Sequence, residues 1–219
     1  MKRIALAALL GTLGCGPSSY TAHSPEVAPS VIQGHGVVTS NGSVVTLRVM
    51  WGLRGDQLGL VRLEGSDRIV ASAPGARPQE LAIDGYSSIG LVRTPGTTVT
   101  VSLVRPAGTA SVDVVLPPAF VIAPPTGPLS RSLPIEVTWE PSPDMVEVTL
   151  RSPCFPAIYS PLVRDKGVAS FAPDRFPKNA GNCTVELTVN RRRPVDQHGA
   201  INLACSAEQV RTITFETTP

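Results

Sequence analysis

Short apolar runs alternating with turn-forming residues constrain the fold of this chain more than any other feature. Its 219 residues include 22 prolines and 19 glycines, which interrupt any long helical periodicity. The predicted strands of the first half are residues 31–39, 44–51, 58–63, 68–73, 80–83, 88–92, 97–104 and 111–116. Turn signals at about this spacing of 8–12 residues predict an all-β sandwich or barrel.

The first two runs form a predicted hairpin. They flank Asn41-Gly42, a dipeptide that supplies the positive φ angles of a type I′ turn. Side chains alternate between the two faces of a strand, although Val44 and Met50 blur the alternation here. The predicted core face of the second strand consists of Val45, Leu47, Val49 and Trp51.

Two proline pairs mark a predicted domain boundary. Leu116-Pro117-Pro118 and Ala123-Pro124-Pro125 bracket a short apolar segment. We therefore predict a first β-sandwich domain over residues 31–117 and a second over residues 118–219. The residues predicted to face the core of the second domain are Ile135, Val137 and Trp139, then Val146, Val148 and Leu150.

The opening of the second domain resembles that of immunoglobulin-like and fibronectin-like modules. It shares a Pro-rich entry strand, a strand with an inward Trp139, a tight turn over residues 141–144 and an alternating third strand. The resemblance covers residues 120–215 and implies an antiparallel sandwich. The expected fold class is therefore all-β, with two tandem immunoglobulin-like β-sandwich domains.

The N-terminal residues read as an export signal. Lys2 and Arg3 precede an apolar stretch over residues 4–13, the length of a signal-peptide core, which is too short to cross a bilayer. At the end of this stretch, the residues Thr12-Leu13-Gly14-Cys15 resemble the lipobox of bacterial prolipoproteins. The resemblance implies a signal peptide over residues 1–14 that is removed before a lipidated Cys15.

Lipidation would hold the protein on a membrane without a transmembrane helix. In the family, an Asp at the second mature position favours retention in the inner membrane. Because Gly16 occupies this position here, the resemblance favours the outer membrane. Residues 15–30 are rich in Ser and Pro and predict a flexible tether. The alternative is an ordinary secretory signal, because Thr12 and Gly14 are also acceptable near such a cleavage site.

Export to an oxidising compartment favours a disulfide over a metal site. In a sandwich of the resembled class the third strand ends near Cys154 and lies antiparallel to the sixth, which starts near Cys183. We therefore predict a Cys154–Cys183 bond, with Cys205 left over. The alternative is three unpaired, buried cysteines.

Charge and histidine content argue against several classes of function. The formal net charge of +2 derives from Lys2 and Arg3, which leave with the signal, so the mature chain is near neutral and nucleic-acid binding is disfavoured. The three histidines, His23, His35 and His198, have no ligand-spaced partners, so we expect no metal and no cofactor. A Ser-containing segment at residues 85–90 lacks the glycine spacing of a hydrolase nucleophile elbow.

Two charged segments are candidate interaction loops. Arg54-Gly55-Asp56 matches a short adhesive tripeptide and is also ordinary turn chemistry. Arg191, Arg192 and Arg193 fall where the last hairpin is expected to turn, and their guanidinium groups could bind carboxylates or phosphates.

These observations favour a lipid-anchored cell-envelope protein that acts as a structural or interaction module without catalysis. Its expected partners are the membrane and an envelope protein or glycan, although both Trp residues are predicted inward, which weakens the glycan reading. The alternative is a secreted or periplasmic ligand-binding protein or hydrolase whose site forms only in three dimensions.

Overall fold

The computed structural model describes residues 21–93, 97–177, 181–198 and 200–219. These residues are all-β, as predicted from the sequence. Residues 116–128 link the two halves of the chain, and we call them the linker. The strands before the linker are β1 (Thr21–His23), β2 (Ile32–Ser40), β3 (Val44–Leu53), β4 (Asp56–Arg62), β5 (Arg68–Ser72), β6 (Gln79–Glu80), β7 (Ala82–Asp84), β8 (Ser87–Arg93), β9 (Thr98–Arg105) and β10 (Gly108–Val115). Those after it are β11 (Leu129–Ser130), β12 (Ile135–Thr138), β13 (Met145–Ser152), β14 (Phe155–Tyr159), β15 (Val163–Arg164), β16 (Val168–Phe171), β17 (Cys183–His198) and β18 (Asn202–Thr218).

Three single-turn 3-10 helices complete the secondary structure of the described residues: Ser24–Glu26, Pro29–Val31 and Pro173–Arg175. No helix in the described ranges has the length and apolarity needed to cross a bilayer. The predicted signal peptide and Cys15 lie outside the described residues.

The first sandwich packs two sheets around one apolar core. One sheet has the order β1-β4-β3-β2-β18, with β8 and β7 added beside β3, and the other has the order β10-β9-β5-β6. The residues predicted to face inward from β3 are buried, since Val45, Leu47 and Trp51 are fully inaccessible to solvent and Val49 is nearly so. The predicted core face of this strand is therefore confirmed.

The hairpin between β2 and β3 also forms, but its turn differs from the predicted type. Gly42 has a φ of 100°, and no other residue type has a positive φ in the described chain. A type I′ turn needs a positive φ at both central residues, so the type I′ prediction is wrong. Instead the Asn41 side chain accepts hydrogen bonds from the backbone N–H groups of Ser43 and Val44, an alternative that Asn side chains offer in turns.

The second sandwich packs the sheet of β14, β13, β17 and β18 against the two-stranded sheet of β12 and β16. Strand β13 lies antiparallel to β17 from Met145 opposite Arg192 to Arg151 opposite Glu186. Its inward residues and those of β12 are buried as predicted: Ile135, Val137, Trp139, Val146, Val148 and Leu150. The arrangement places the two predicted disulfide partners at adjacent strand ends.

Strands β17 and β18 form one long antiparallel hairpin that belongs to both sandwiches. Sixteen residues of strand extend over about 50 Å. Near its closed end, β18 pairs in parallel with β2 from Asn202 to Gln209. The hairpin contributes Val195, Ile201, Leu203 and Ala207 to the first core, and Val185, Leu187, Val189 and Phe215 to the second. The predicted boundary at residues 117–118 thus divides the chain before the hairpin but not the hairpin itself.

The segment over residues 21–31 packs across the end of the first sandwich that lies opposite the linker. Strand β1 pairs in parallel with β4, and Ser24 is buried with its hydroxyl accepting the backbone N–H of Glu64. The Arg105 guanidinium donates to the carbonyl oxygens of Ser24 and Val27. The predicted tether is therefore wrong for residues 21–30, because paired backbone groups and an arginine fix this part of the chain.

Candidate functional site

The three consecutive arginines do not form a loop. Arg191, Arg192 and Arg193 lie inside β17, opposite Gln209, Glu208 and Ala207 of β18. The hairpin turns beyond them, between His198 and Asn202. Their predicted position at a turn is therefore wrong, because strands on both sides of β17 pair with this part of it.

Each of these arginines has a carboxylate partner. Arg191 is 1% exposed, and its Nε lies 2.7 Å from Oδ2 of Asp165. Arg192 lies 2.7 Å from Glu147 and 3.4 Å from Glu208, while Arg193 binds both carboxylate oxygens of Asp144. These side chains are engaged within the protein.

Asp165 is the centre of a buried polar network. Its Oδ2 accepts from Arg191, and its Oδ1 accepts from the indole N–H of Trp139 and the backbone N–H of Gly167, each at 2.8 Å. Two further Arg191 hydrogen bonds go to the carbonyl oxygens of Pro118 and Glu140, so each guanidinium nitrogen has a partner. A buried ion pair that is also hydrogen-bonded to its surroundings fixes geometry. Here it fastens the linker at Pro118 to β17.

Two guanidinium groups lie close to the Phe120 ring. The central guanidinium carbon of Arg191 lies 4.4 Å from the ring centroid and that of Arg211 lies 5.5 Å from it, both within cation–π range. Burial, and to a lesser degree the positive charge of Arg191, lowers the pKa of Arg211. Arg211 also donates to the Phe120 carbonyl oxygen and lies against Gly42 of the β2–β3 turn. We call Phe120, Asp165, Arg191 and Arg211 the junction cluster.

The buried carboxylates elsewhere in the described chain follow the same rule. Asp67 lies 3.1 Å from Arg105, and Asp144 pairs with Arg193. Together with Asp165, these are the buried acidic residues of the described ranges, and an arginine neutralises each of them. Their arrangement is that of structural ion pairs.

The tripeptide at Arg54-Gly55-Asp56 lies where β3 turns into β4. Gly55 has a φ of 80°, which a glycine adopts without strain. The Arg54 side chain is exposed, and its backbone N–H donates to the carbonyl oxygen of Val31. Arg54 is therefore accessible. It lies at the end of the first sandwich opposite the junction cluster, and more than 100 residues before Arg191 in sequence.

The predicted disulfide is present. Cys154 and Cys183 are bonded, with their Cα atoms 6.1 Å apart. Cys205 is a free thiol opposite Val195, and burial raises its pKa to about 12. The sequence therefore assigned both roles correctly.

The histidines are dispersed. His23 lies 2.5 Å from Glu64, His198 lies 3.5 Å from Asp196, and His35 is exposed on β2. Within the part of the chain that the structure describes, no group of three or more His, Cys, Asp or Glu side chains could hold a metal ion.

An open depression of about 510 Å³ lies at the far end of the second sandwich. Its lining is mostly proline and phenylalanine, with Arg131 and Asp174 as the charged residues. Arg131 is itself buried and donates to Thr217 and Gly181. The cavity brings no acid–base pair or nucleophile together.

Sequence reasoning missed an apolar patch on the outer face of the first sandwich. Met50, Ile89 and Leu91 are 52%, 44% and 58% exposed and lie on the neighbouring strands β3 and β8. We call these three residues the apolar face. The signal was present in the sequence, since Met50 breaks the alternation of β3.

The fold places this chain in the class of all-β proteins built from β-sandwiches. No protein-family model and no curated protein matches it. Among solved structures, a mutant of Salmonella alpha-2-macroglobulin matches with 12% identity and a TM-score of 0.28, over 88% of this chain and 15% of that one. A 1.5-MDa bacterial ice-binding adhesin, in a structure on host cell surface retention, matches with 13% identity and a TM-score of 0.26, over 87% of this chain and 65% of that one. At these values, neither match assigns a function.

Proposed function

We propose that this chain is a lipid-anchored cell-envelope protein that acts as a rigid, non-catalytic structural and interaction module. The single observation that carries the proposal is the long hairpin, whose two strands run without interruption through both sandwiches. Tandem domains joined only by a linker are expected to move relative to each other. Here the shared strands and the junction cluster oppose such motion.

The anchor is argued from the first residues of the chain. Lys2 and Arg3, the apolar stretch that follows and the Leu13-Gly14-Cys15 sequence favour lipidation of Cys15, and Gly16 favours the outer membrane. Residues 21–31 support this proposal because they fix the first described residues of the chain to one end of the first sandwich. A lipid at Cys15 would therefore hold the module at that end, with the second sandwich available to an envelope protein or glycan.

A fractionation experiment tests the anchor. The full chain is expressed in a Gram-negative host, and we expect it in the outer-membrane fraction, whereas Cys15→Ala becomes soluble because it lacks the acyl chains that give stable binding. Mass spectrometry of the mature N-terminus should show diacylglycerol on Cys15. A Cys205→Ala chain is the matched control and should remain in the membrane. Membrane retention of Cys15→Ala, or a mature Cys15 without lipid, would refute the anchor.

A further inference from the structure

The apolar face lies on the outer side of the sheet that the two sandwiches share. In both sandwiches the odd-numbered residues of β18 point to the core, such as Leu203 and Phe215, so the opposite side of the sheet is one continuous outer face. In the second sandwich this face carries the threonine row Thr149, Thr188 and Thr212, and Tyr159 lies exposed at the end of that row, opposite Thr149. In the first sandwich it carries Met50, Ile89 and Leu91. Clustered exposed apolar side chains mark a contact surface.

A cation accompanies the apolar face. Arg48 is exposed on β3, directly opposite Ile89 on β8 and Val37 on β2. None of the ion pairs of the described residues includes Arg48. A shallow groove of about 450 Å³ runs beside it, with Asp84 as the carboxylate on its rim. The surface therefore matches a partner that offers apolar groups together with an anion.

The start of the described chain lies next to this face. The Thr21 hydroxyl is 3.4 Å from the hydroxyl of Tyr86, and the residue after Tyr86, Ser87, lies opposite Met50. Five residues lie between Cys15 and Thr21, and the six Cα–Cα steps from Cys15 to Thr21 extend over at most about 20 Å. A lipid on Cys15 would therefore keep the apolar face close to the bilayer.

We propose that the apolar face, together with Arg48, is a second membrane-contact surface that docks the first sandwich onto a bilayer of anionic phospholipid. This inference rests on the proposed lipid anchor at Cys15. Met50, Ile89 and Leu91 enter the boundary between headgroups and acyl chains, and Arg48 binds a lipid phosphate. The threonine row of the second sandwich stays in water.

Fluorescence quenching tests this orientation. An environment-sensitive fluorophore is attached to Ile89→Cys in a Cys205→Ala background, and the matched control carries it at Thr188→Cys on the same outer face. Each full chain is reconstituted through its lipid into vesicles of phosphatidylethanolamine and phosphatidylglycerol that contain doxyl-labelled lipid. We expect quenching at residue 89 to exceed that at residue 188 by about threefold or more, since only the former reaches the boundary region.

A second arm separates this proposal from the anchor. A Cys15→Ala chain is held on the same vesicles by an oligohistidine tag placed before Gly16 and a nickel-chelating lipid. Stronger quenching at residue 89 than at residue 188 in this arm supports membrane docking by the apolar face, whatever is found on Cys15. If mass spectrometry then finds no lipid on Cys15, only the proposed anchor is refuted. Equal quenching at residues 89 and 188 in both arms would refute membrane docking by the apolar face without contradicting the proposed anchor.

Charge variants identify the occupant of the face. Arg48→Glu should reduce quenching at residue 89 about threefold on anionic vesicles, while Arg48→Lys retains it and Arg151→Glu, on the second sandwich, leaves it unchanged. Dimerisation of the chain that is lost in Leu91→Asp would show that a second copy covers the face. Crosslinking in cells from residue 89 to a protein instead of lipid would show a protein partner. Either result overturns the proposal.

Discussion

At the scale of single residues, the three consecutive arginines that the sequence offers for binding form ion pairs within the protein. Arg191 and Asp165 are almost completely inaccessible, with side-chain exposures of 1% and 0%. Transfer of two charges from water is costly, and their mutual attraction compensates only when every donor and acceptor is satisfied. In the network with Trp139, Gly167 and Pro118, each carboxylate oxygen of Asp165 and each guanidinium nitrogen of Arg191 has at least one partner. These two residues therefore determine where the linker lies.

Breaking this pair should be expensive. We expect Asp165→Asn to lower the free energy of unfolding by about 3–5 kcal/mol, because it leaves Arg191 buried without a counter-charge. Urea denaturation with the disulfide intact measures the effect. The matched control is Glu147→Gln, which removes the partly exposed partner of Arg192 and should cost at most about 1 kcal/mol. Similar effects of the two substitutions would contradict a structural role for the buried pair.

At the scale of elements, β2 is held between two strands and has little room for side chains. It pairs antiparallel with β3 and parallel with β18. A Cβ atom added to Gly36 would overlap the carbonyl oxygen of Arg48 on β3. Glycine at this position therefore permits the close approach of β2 and β3 on which the parallel pairing with the long hairpin depends.

A glycine pair tests this requirement. Gly36→Ala should destabilise the protein by about 3 kcal/mol, since backbone atoms must shift to accept the methyl group. Gly127 is the matched control, because nothing lies within 4 Å of an added Cβ there. Gly127→Ala should be neutral or stabilise by up to about 1 kcal/mol through the unfolded state. Thermal denaturation of both variants decides the matter, and equal midpoints would contradict the close approach of β2 and β3.

At the scale of the whole molecule, the long hairpin joins the two sandwiches, and we expect them to unfold as one cooperative unit. Leu203 and Ala207 near its closed end are buried in the first core, while Leu187 and Phe215 are buried in the second. The backbone hydrogen bonds between β17 and β18 continue from the first core to the second. Loss of either core removes one side of the support for the hairpin, so partial unfolding is disfavoured.

Each sandwich contains one tryptophan, Trp51 or Trp139, which allows cooperativity to be measured. In a Trp51→Phe chain, Leu203→Ala in the first core should lower the stability reported by Trp139 in the second core by about 2–5 kcal/mol, the range for such a core truncation. Urea denaturation followed by fluorescence and by circular dichroism should give coincident curves. Leu133→Ala, at a residue that is 64% exposed, should leave the midpoint unchanged. A Trp139 transition that ignores Leu203→Ala would show two independent units.

The sequence by itself determined the β class, most strand positions, the inward faces of β3 and β13, and the Cys154–Cys183 bond. These features depend on local signals: a period of two residues, turn residues between runs, and the adjacency of the third and sixth strands in a sandwich of the resembled class. Each can be read from a few neighbouring residues or from the order of strands.

Only the tertiary structure decided that Arg191–Arg193 lie in a strand, that residues 21–31 are docked, and that one hairpin joins both cores. From the sequence alone, a run of arginines before Pro194 indicates a loop. In the structure, Asp165, Glu147 and Asp144 from other parts of the chain neutralise these arginines within a strand. From the sequence alone, the Ser- and Pro-rich residues before β2 indicate a tether. In the structure, Arg105 donates hydrogen bonds to carbonyl groups of this segment and holds it in place. In each case the deciding partner lies dozens of residues away, and long-range pairing leaves no local pattern in the sequence.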